Sequence, residues 1–195
     1  MSRLGRLLRL AAHPREVRLA LSGLAVRLEG DSALGGLSAE ETKAVVRWAT
    51  EPVFIEIGTL FGFTARAVAS GSSAHVIAVD NFCWNPFGLS PAEHEAFARR
   101  VLEGSSVELV NADAQTYLKA LDASTAAHAV VFLDGDHRYE AVKAELEILR
   151  ARGVRTFAGH DFGKASFGVT RAVREVLGEP DEIAGSCWLK RNAEA

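Results

Sequence analysis

Cysteine is nearly absent from this chain: Cys83 and Cys187 are the only two. Two isolated thiols make neither a zinc-ligand spacing nor a disulfide framework, and a reducing, cytoplasmic setting is expected for them. No run of about 18 apolar residues occurs, which excludes a membrane-spanning helix. A strong charge of one sign is also missing. Twenty-two Lys and Arg stand against 25 Asp and Glu, for a net charge of −3. The molecule as a whole therefore offers no field suited to nucleic acid. No internal repeat and no low-complexity linker interrupts the sequence, which argues against repeat arrays and tethered domains. What remains is a globular composition, 48% hydrophobic and 24% charged over 195 residues, enough for one sizeable core.

The charge is unevenly spread. Arg3, Arg6, Arg9, Arg15 and Arg18 face a single acid, Glu16, and mix with Leu4, Leu7, Leu8 and Leu10 at roughly helical spacing. The arginines interrupt any apolar stretch of a secretory signal. An amphipathic helix lying on its own domain is the plain reading. A helix for an anionic surface or for a partner, including a second copy in a homodimer, is the alternative. Pro14 breaks the pattern, an apolar-rich stretch follows over residues 17–28, and residues 30–36 read as a loop. Ser38 and Glu41 then form a capping-box signature that opens a helix running to Trp48. Residues 1–48 are expected to be an N-terminal helical extension and residues 49–195 the main domain.

From Pro52 onward short apolar runs alternate with helical patterns. Strands are expected at 53–57, 76–79, 107–110, 129–133 and 154–158. Helices are expected at 64–70, 91–102 (capped by Ser90), 114–121, 139–150 and 169–177. Residues 182–190 form one strand or a tight hairpin about Gly185-Ser186. The alternation predicts an α/β fold, a Rossmann-like, doubly wound, mostly parallel sheet of about six or seven strands with helices on both faces. The runs are continuous rather than alternating in polarity, as strands covered on both faces require.

In such a sheet, ligands bind beyond the carboxyl ends of the strands, so the residues at each strand end carry the argument. The first strand runs into Glu56-Ile57-Gly58-Thr59-Leu60-Phe61-Gly62. Its two glycines permit a tight turn and close backbone approach to a ligand, or simply a structural turn. A pyrophosphate-binding loop wants glycine where Leu60 stands, so a dinucleotide is disfavoured. The second strand ends in Asp80-Asn81, and Asp80 follows Gly58 by 22 residues, close to the ~20 of nucleoside binders. Its carboxylate offers two acceptors to a ribose. The third ends in Asp113-Ala114, where Asp113 either meets an adenine amino group or caps the next helix. The fourth ends in Asp134-Gly135-Asp136-His137-Arg138-Tyr139 and the fifth in Gly159-His160-Asp161-Phe162. Adjacent parallel strands would bring these last two clusters together. Charged groups behind buried strands need partners or a purpose.

The set Glu56-x-Gly58-x-x-x-Gly62, Asp80, Asp113, Leu133-Asp134-Gly135-Asp136-His137-x-Tyr139 and His160-Asp161-Phe162, with Gly168-Val169-x-x-Ala172-Val173, resembles class I S-adenosylmethionine-dependent methyltransferases. Within them it is similar to the methyltransferase 24 group, related to catechol-type and macrocin-type O-methyltransferases. The resemblance covers about residues 50–178. It implies S-adenosylmethionine as cofactor and a small-molecule hydroxyl as acceptor. Glu56, Gly58, Thr59 and Gly62 would line the methionine end, Asp80 and Asn81 the ribose, and Asp113 and Ala114 the adenine. Asp134 would stand at the reaction centre. In metal-dependent relatives the positions of Asp134, His160 and Asp161 hold a divalent cation. His160 offers nitrogen where oxygen is usual, which suits manganese better than magnesium. Alternatively His137 or His160 is the general base. The aromatic stretch 82–88 is either a lid or a cover for the sheet edge.

Two rivals share parts of this pattern. An NAD(P)-dependent oxidoreductase would explain the glycine turn and Asp80 but not the charged ends of strands four and five. A non-catalytic nucleoside-binding or scaffold protein would make the arginine-rich start its working part.

Overall fold

The computed structural model describes residues 36–84 and 89–191. The features read in residues 1–35, among them the arginine-rich helix, lie outside the described residues, as do positions 85–88 of the aromatic stretch.

Helix α1 (Ala39–Trp48) opens on the expected capping box: Glu41 N–H donates to Ser38 Oγ and Ser38 N–H to Glu41 Oε2. Then follow β1 (Val53–Ile57), α2 (Phe63–Gly71), β2 (His75–Asp80), α3 (Pro91–Leu102), β3 (Glu108–Asn111), α4 (Ala114–Ala120), α5 (Ala123–Ala127), β4 (Ala129–Leu133), α6 (Tyr139–Ala151), β5 (Thr156–Gly159), α7 (Val169–Leu177), β6 (Glu182–Ala184) and β7 (Cys187–Arg191). The seven strands form one sheet in the order β3-β2-β1-β4-β5-β7-β6. β1 to β5 pair in parallel, while β7 runs antiparallel to β5 and to β6. Chain order therefore reverses between β1 and β4, which opens a crevice at their carboxyl ends.

Both faces of the central strands β1, β2, β4 and β5 are buried, which is why they read as unbroken apolar runs. Ile55, Ile57, Ile77, Val79, Val131 and Leu133 pack under α4, α6 and α7 through Leu118, Leu146 and Val173. Phe54, Val76, Ala78, Val130 and Phe132 point the other way, toward Val45 and Trp48 of α1 and Ala65 and Val68 of α2. So α1, which the sequence reading groups with the N-terminal extension, is packed into the core.

Several element ends differ from expectation by a residue or two, and one short helix is added. β5 starts at Thr156 rather than 154, because Val154 N–H donates to Leu149 O at the end of α6. β3 is shifted one residue on, to Glu108–Asn111. The short helix α5 was not anticipated; Asp122 caps it by accepting from Thr125 N–H. The terminal segment resolves as the hairpin, with Gly185 at φ 61°.

Candidate active site

The β1 and β4 tips touch. Gly58 has φ 86°, and a Cβ there would lie 2.4 Å from Gly135 Cα and 2.5 Å from Asp134 O. Only glycine fits both the left-handed backbone and the space. Leu60 also has a left-handed backbone, φ 52°, which is costly for a branched side chain. Its two backbone groups are both tied down. Its N–H donates to Asp80 Oδ2 at 2.8 Å, and its carbonyl faces His94 Nε2 at 3.0 Å. Asp80 Oδ1 in turn accepts from Phe82 N–H at 2.7 Å. One carboxylate thus pins the loops after β1 and β2, while each of its oxygens keeps acceptor capacity for a further donor.

Glu56 is buried on β1, and the Thr59 hydroxyl donates to its Oε2. Burial, together with the charges of Asp134 and Asp80, pushes its carboxyl up to about 8. Its sensitivity to both aspartates places the tips of β2, β1 and β4 in one electrostatic neighbourhood.

Other members of the expected set make local contacts, although Ala112 N–H to Asp80 O ties the β3 tip to β2. Asp113 is exposed and caps α4, accepting from Thr116 N–H and Oγ1, both at 2.9 Å, and those bonds hold its carboxyl below the ordinary range. Ala114 is the first residue of that helix. Asn81 is exposed and accepts from Cys83 N–H. Asp136 pairs with Arg138 at the loop surface.

The β4 and β5 tips do converge. His160 Nδ1 lies 3.3 Å from Asp134 Oδ1 and 3.4 Å from Asp161 Oδ1. Its Nε2 lies 2.8 Å from Ser186 Oγ, which donates to Glu41 Oε1 at 2.9 Å. Nδ1 thus faces two aspartates while Nε2 meets the serine. Burial opposes charge on the ring, but Asp134, Asp161 and Glu41 outweigh it and hold the imidazole above its ordinary value. Burial likewise raises Asp134, and the His160 cation opposes the rise. Glu41 also resists burial: bonds from Ser186 and Ser38 bring its carboxyl down to about 2. His137 Nδ1 is 3.4 Å from Asp161 Oδ2, its ring rests on Phe167, and its side chain is 31% exposed against 11% for His160.

Asp134, His137 and Asp161 each present a ligating atom within 4.8 Å of the others. However, Lys164 Nζ sits 2.5 Å from Asp161 Oδ1, and His160 spans the two aspartates. A cation would have to displace the Lys164 ammonium and the His160 ring, both already in contact with its ligands, so the set expected from sequence (Asp134, His160 and Asp161) does not fit one.

Sequence reading missed Glu41, His94, Lys164 and Ser186. Glu41 was legible only as a cap, Ser186 only as a turn residue, and His94 only as one position of a helix. Lys164 stands three residues after Asp161, a spacing that hints at a pair only once the turn is known.

A family model described as a methyltransferase domain matches residues 55–155. Among solved structures, the chain is similar to the O-methyltransferase from Bacillus cereus in complex with SAH, at 16% identity over 84% of this chain and 76% of that one, TM-score 0.54. It is similar to a putative O-methyltransferase from Klebsiella pneumoniae, at 18% identity over 92% and 90%, TM-score 0.56. It is also similar to the 1,6-didemethyltoxoflavin-N1-methyltransferase of Burkholderia thailandensis, at 15% identity over 95% and 90%, TM-score 0.54. No curated protein matches the chain. Among the described residues no helix is long and apolar enough to cross a membrane.

Proposed function

Because the chain belongs to the methyltransferase domain family, whose model spans residues 55–155, we propose that it transfers a methyl group from S-adenosylmethionine to a hydroxyl of a small molecule. The observation that carries this reading is the acidic rim formed where the tips of β2, β1, β4 and β5 adjoin: Asp80, Glu56, Asp134 and Asp161. The spare acceptor capacity of Asp80 suits a ribose, and Leu60, standing where a dinucleotide loop wants glycine, disfavours the pyrophosphate of the rival NAD(P) reading.

When bound, S-adenosylmethionine supplies a methyl group already activated on sulfur. The chain's own residues have three tasks. Asp80 and Asn81 receive the ribose hydroxyls, with the spare acceptor capacity of Asp80 turned to that use. Glu56, Gly58, Thr59 and Gly62 form the wall at the methionine end, and Asp113 and Ala114 flank the adenine. Asp134 and the two histidines face the acceptor. Of the histidines, His160 is engaged at both nitrogens, by Ser186 and by the two aspartates. His137, more exposed and oriented by Asp161, is the residue for the acceptor's proton. A hydroxyl acceptor is favoured by the two O-methyltransferases among the similar structures, although the third methylates nitrogen.

The unit that carries this chemistry begins no later than α1, since Glu41 bonds to Ser186 and Trp48 is buried against the sheet. Calorimetric titration of the purified chain with S-adenosylhomocysteine and with NADH tests the reading. Binding of the first alone is expected. Binding of NADH alone overturns it.

A further inference from the structure

Three carboxylates, Glu41, Asp134 and Asp161, meet under the β4 and β5 tips. Each contacts a basic side chain belonging to the chain itself. His160 lies within 3.5 Å of all three. Lys164 reaches Asp161 from the loop before α7. The ring of His160 is fixed from behind by Ser186, whose N–H and hydroxyl both bond to Glu41. The Nδ1 edge of His160 is therefore held in register with the two aspartates by a chain of bonds that begins on α1. Asp161 itself has φ 62°, a left-handed backbone tolerated by aspartate but uncommon. Phe162 N–H to Ser186 O at 3.0 Å anchors that turn to the same hairpin.

Resting on the methyltransferase reading above, we propose that His160 and Lys164 take the place of a divalent cation at the acceptor side of the site. They neutralise Asp134 and Asp161 from within, and the transferase works without a metal. The oxygen ligands a metal would need are present, but their charge is spent on side chains. Expelling or tolerating Lys164 would therefore weaken a cation's affinity by well over about tenfold. Positive charge beside the acceptor oxygen then comes from the Lys164 ammonium, which is half-exposed and lines the same pocket as Phe167.

The test is a calorimetric titration with Mn²⁺ of three full-length proteins: wild type, Lys164→Gln, and the double variant His160→Asp with Lys164→Gln. Circular dichroism checks the fold of each. Wild type is expected to give no saturable heat. Lys164→Gln, a surface-facing change that spares the fold, is expected to bind Mn²⁺ at least about tenfold more tightly than wild type, and the double variant more tightly again. Saturable one-to-one binding by wild type overturns the proposal. So does a Lys164→Gln protein that binds no better than wild type, because the built-in charges are then not what keeps a metal out. S-adenosylhomocysteine is titrated into the same samples. Its failure to bind wild type defeats the methyltransferase reading and leaves the metal question to be decided by the Mn²⁺ data alone.

Discussion

The two sides of the crevice are built on different principles. On the β1–β2 side, Asp80 is held by backbone: one N–H from each neighbouring loop, at 2.8 and 2.7 Å, in positions fixed by Gly58 and the strained Leu60. On the β4–β5 side, Asp134 and Asp161 are held by side-chain charge, through His160, His137 and Lys164. Backbone contacts survive most substitutions, so the first side reproduces one shape for one common donor. A charge network can be rewired by single replacements, so the second side is where acceptor and chemistry are set. This difference predicts that damage to the first side is expressed as lost fold and lost donor binding, and damage to the second as altered ion preference.

The harshest way to break the comparison is Gly58→Ala. The new Cβ would meet the β4 backbone at 2.4–2.6 Å while forcing alanine to φ 86°. Strain and overpacking together should cost about 3 kcal/mol or more, lowering the thermal midpoint by roughly 6–12 °C. S-adenosylhomocysteine binding should vanish with it. A calorimetric scan showing an unchanged midpoint would mean the two tips are not in contact.

Next in size is Asp80→Ala. It removes the bonds to Leu60 and Phe82 and the proposed ribose acceptors, so S-adenosylhomocysteine affinity should fall about a hundredfold. Asp161→Asn, on the opposite side, should leave that affinity within about threefold, because its contacts are to side chains at the acceptor end. Equal losses in the two titrations would erase the distinction between the sides.

A subtler contrast is offered by two buried glutamates. Glu56 and Glu145 are both pushed up to about 8, in each case chiefly by burial. Glu56 lies in the rim, whereas Glu145 is buried on α6, with Asp136 and Asp113 adding to its shift. Each binds a proton in the folded chain that it releases on unfolding at any pH between 4.5 and about 8. Stability should therefore fall as pH rises through that window and level off above it. Glu145→Gln should flatten the curve and leave S-adenosylhomocysteine binding intact. Glu56→Gln should flatten it too but weaken binding at pH 8 to 9, where a charged Glu56 would attract the ligand's ammonium. Urea midpoints across the pH range, read beside calorimetry, separate these outcomes.

The sheet was legible because period and punctuation were strong. The apolar runs 53–57 and 129–133 and the helices after Ser90 and Gly168 fall where sequence puts them. The boundary of β5 was not legible, because it depends on Val154 N–H turning back to α6, a tertiary choice between two acceptors. At the site, Asp134 and His160 could be paired from strand adjacency alone. The remainder of the network could not. Glu41 lies 145 residues from Ser186, and no local pattern links a helix cap to a hairpin turn. Nor could sequence show that Ser186 closes the far side of His160.

The smallest expected effect concerns Asp113, whose two roles the sequence left open. In the structure its Oδ1 accepts both the N–H and the hydroxyl of Thr116 at the start of α4, so capping is its realised work. Asp113→Ala should then cost about 1 kcal/mol of stability. Asp113→Ser keeps a capping oxygen and should recover most of that, while removing the carboxylate that would meet an adenine amino group. If S-adenosylhomocysteine binds the serine variant as tightly as wild type, the adenine is recognised by shape and apolar contact, and the β3 tip belongs to the scaffold. If affinity drops while the thermal midpoint is restored, Asp113 reaches the adenine after all, and the backbone-held side of the crevice extends one strand further, to β3.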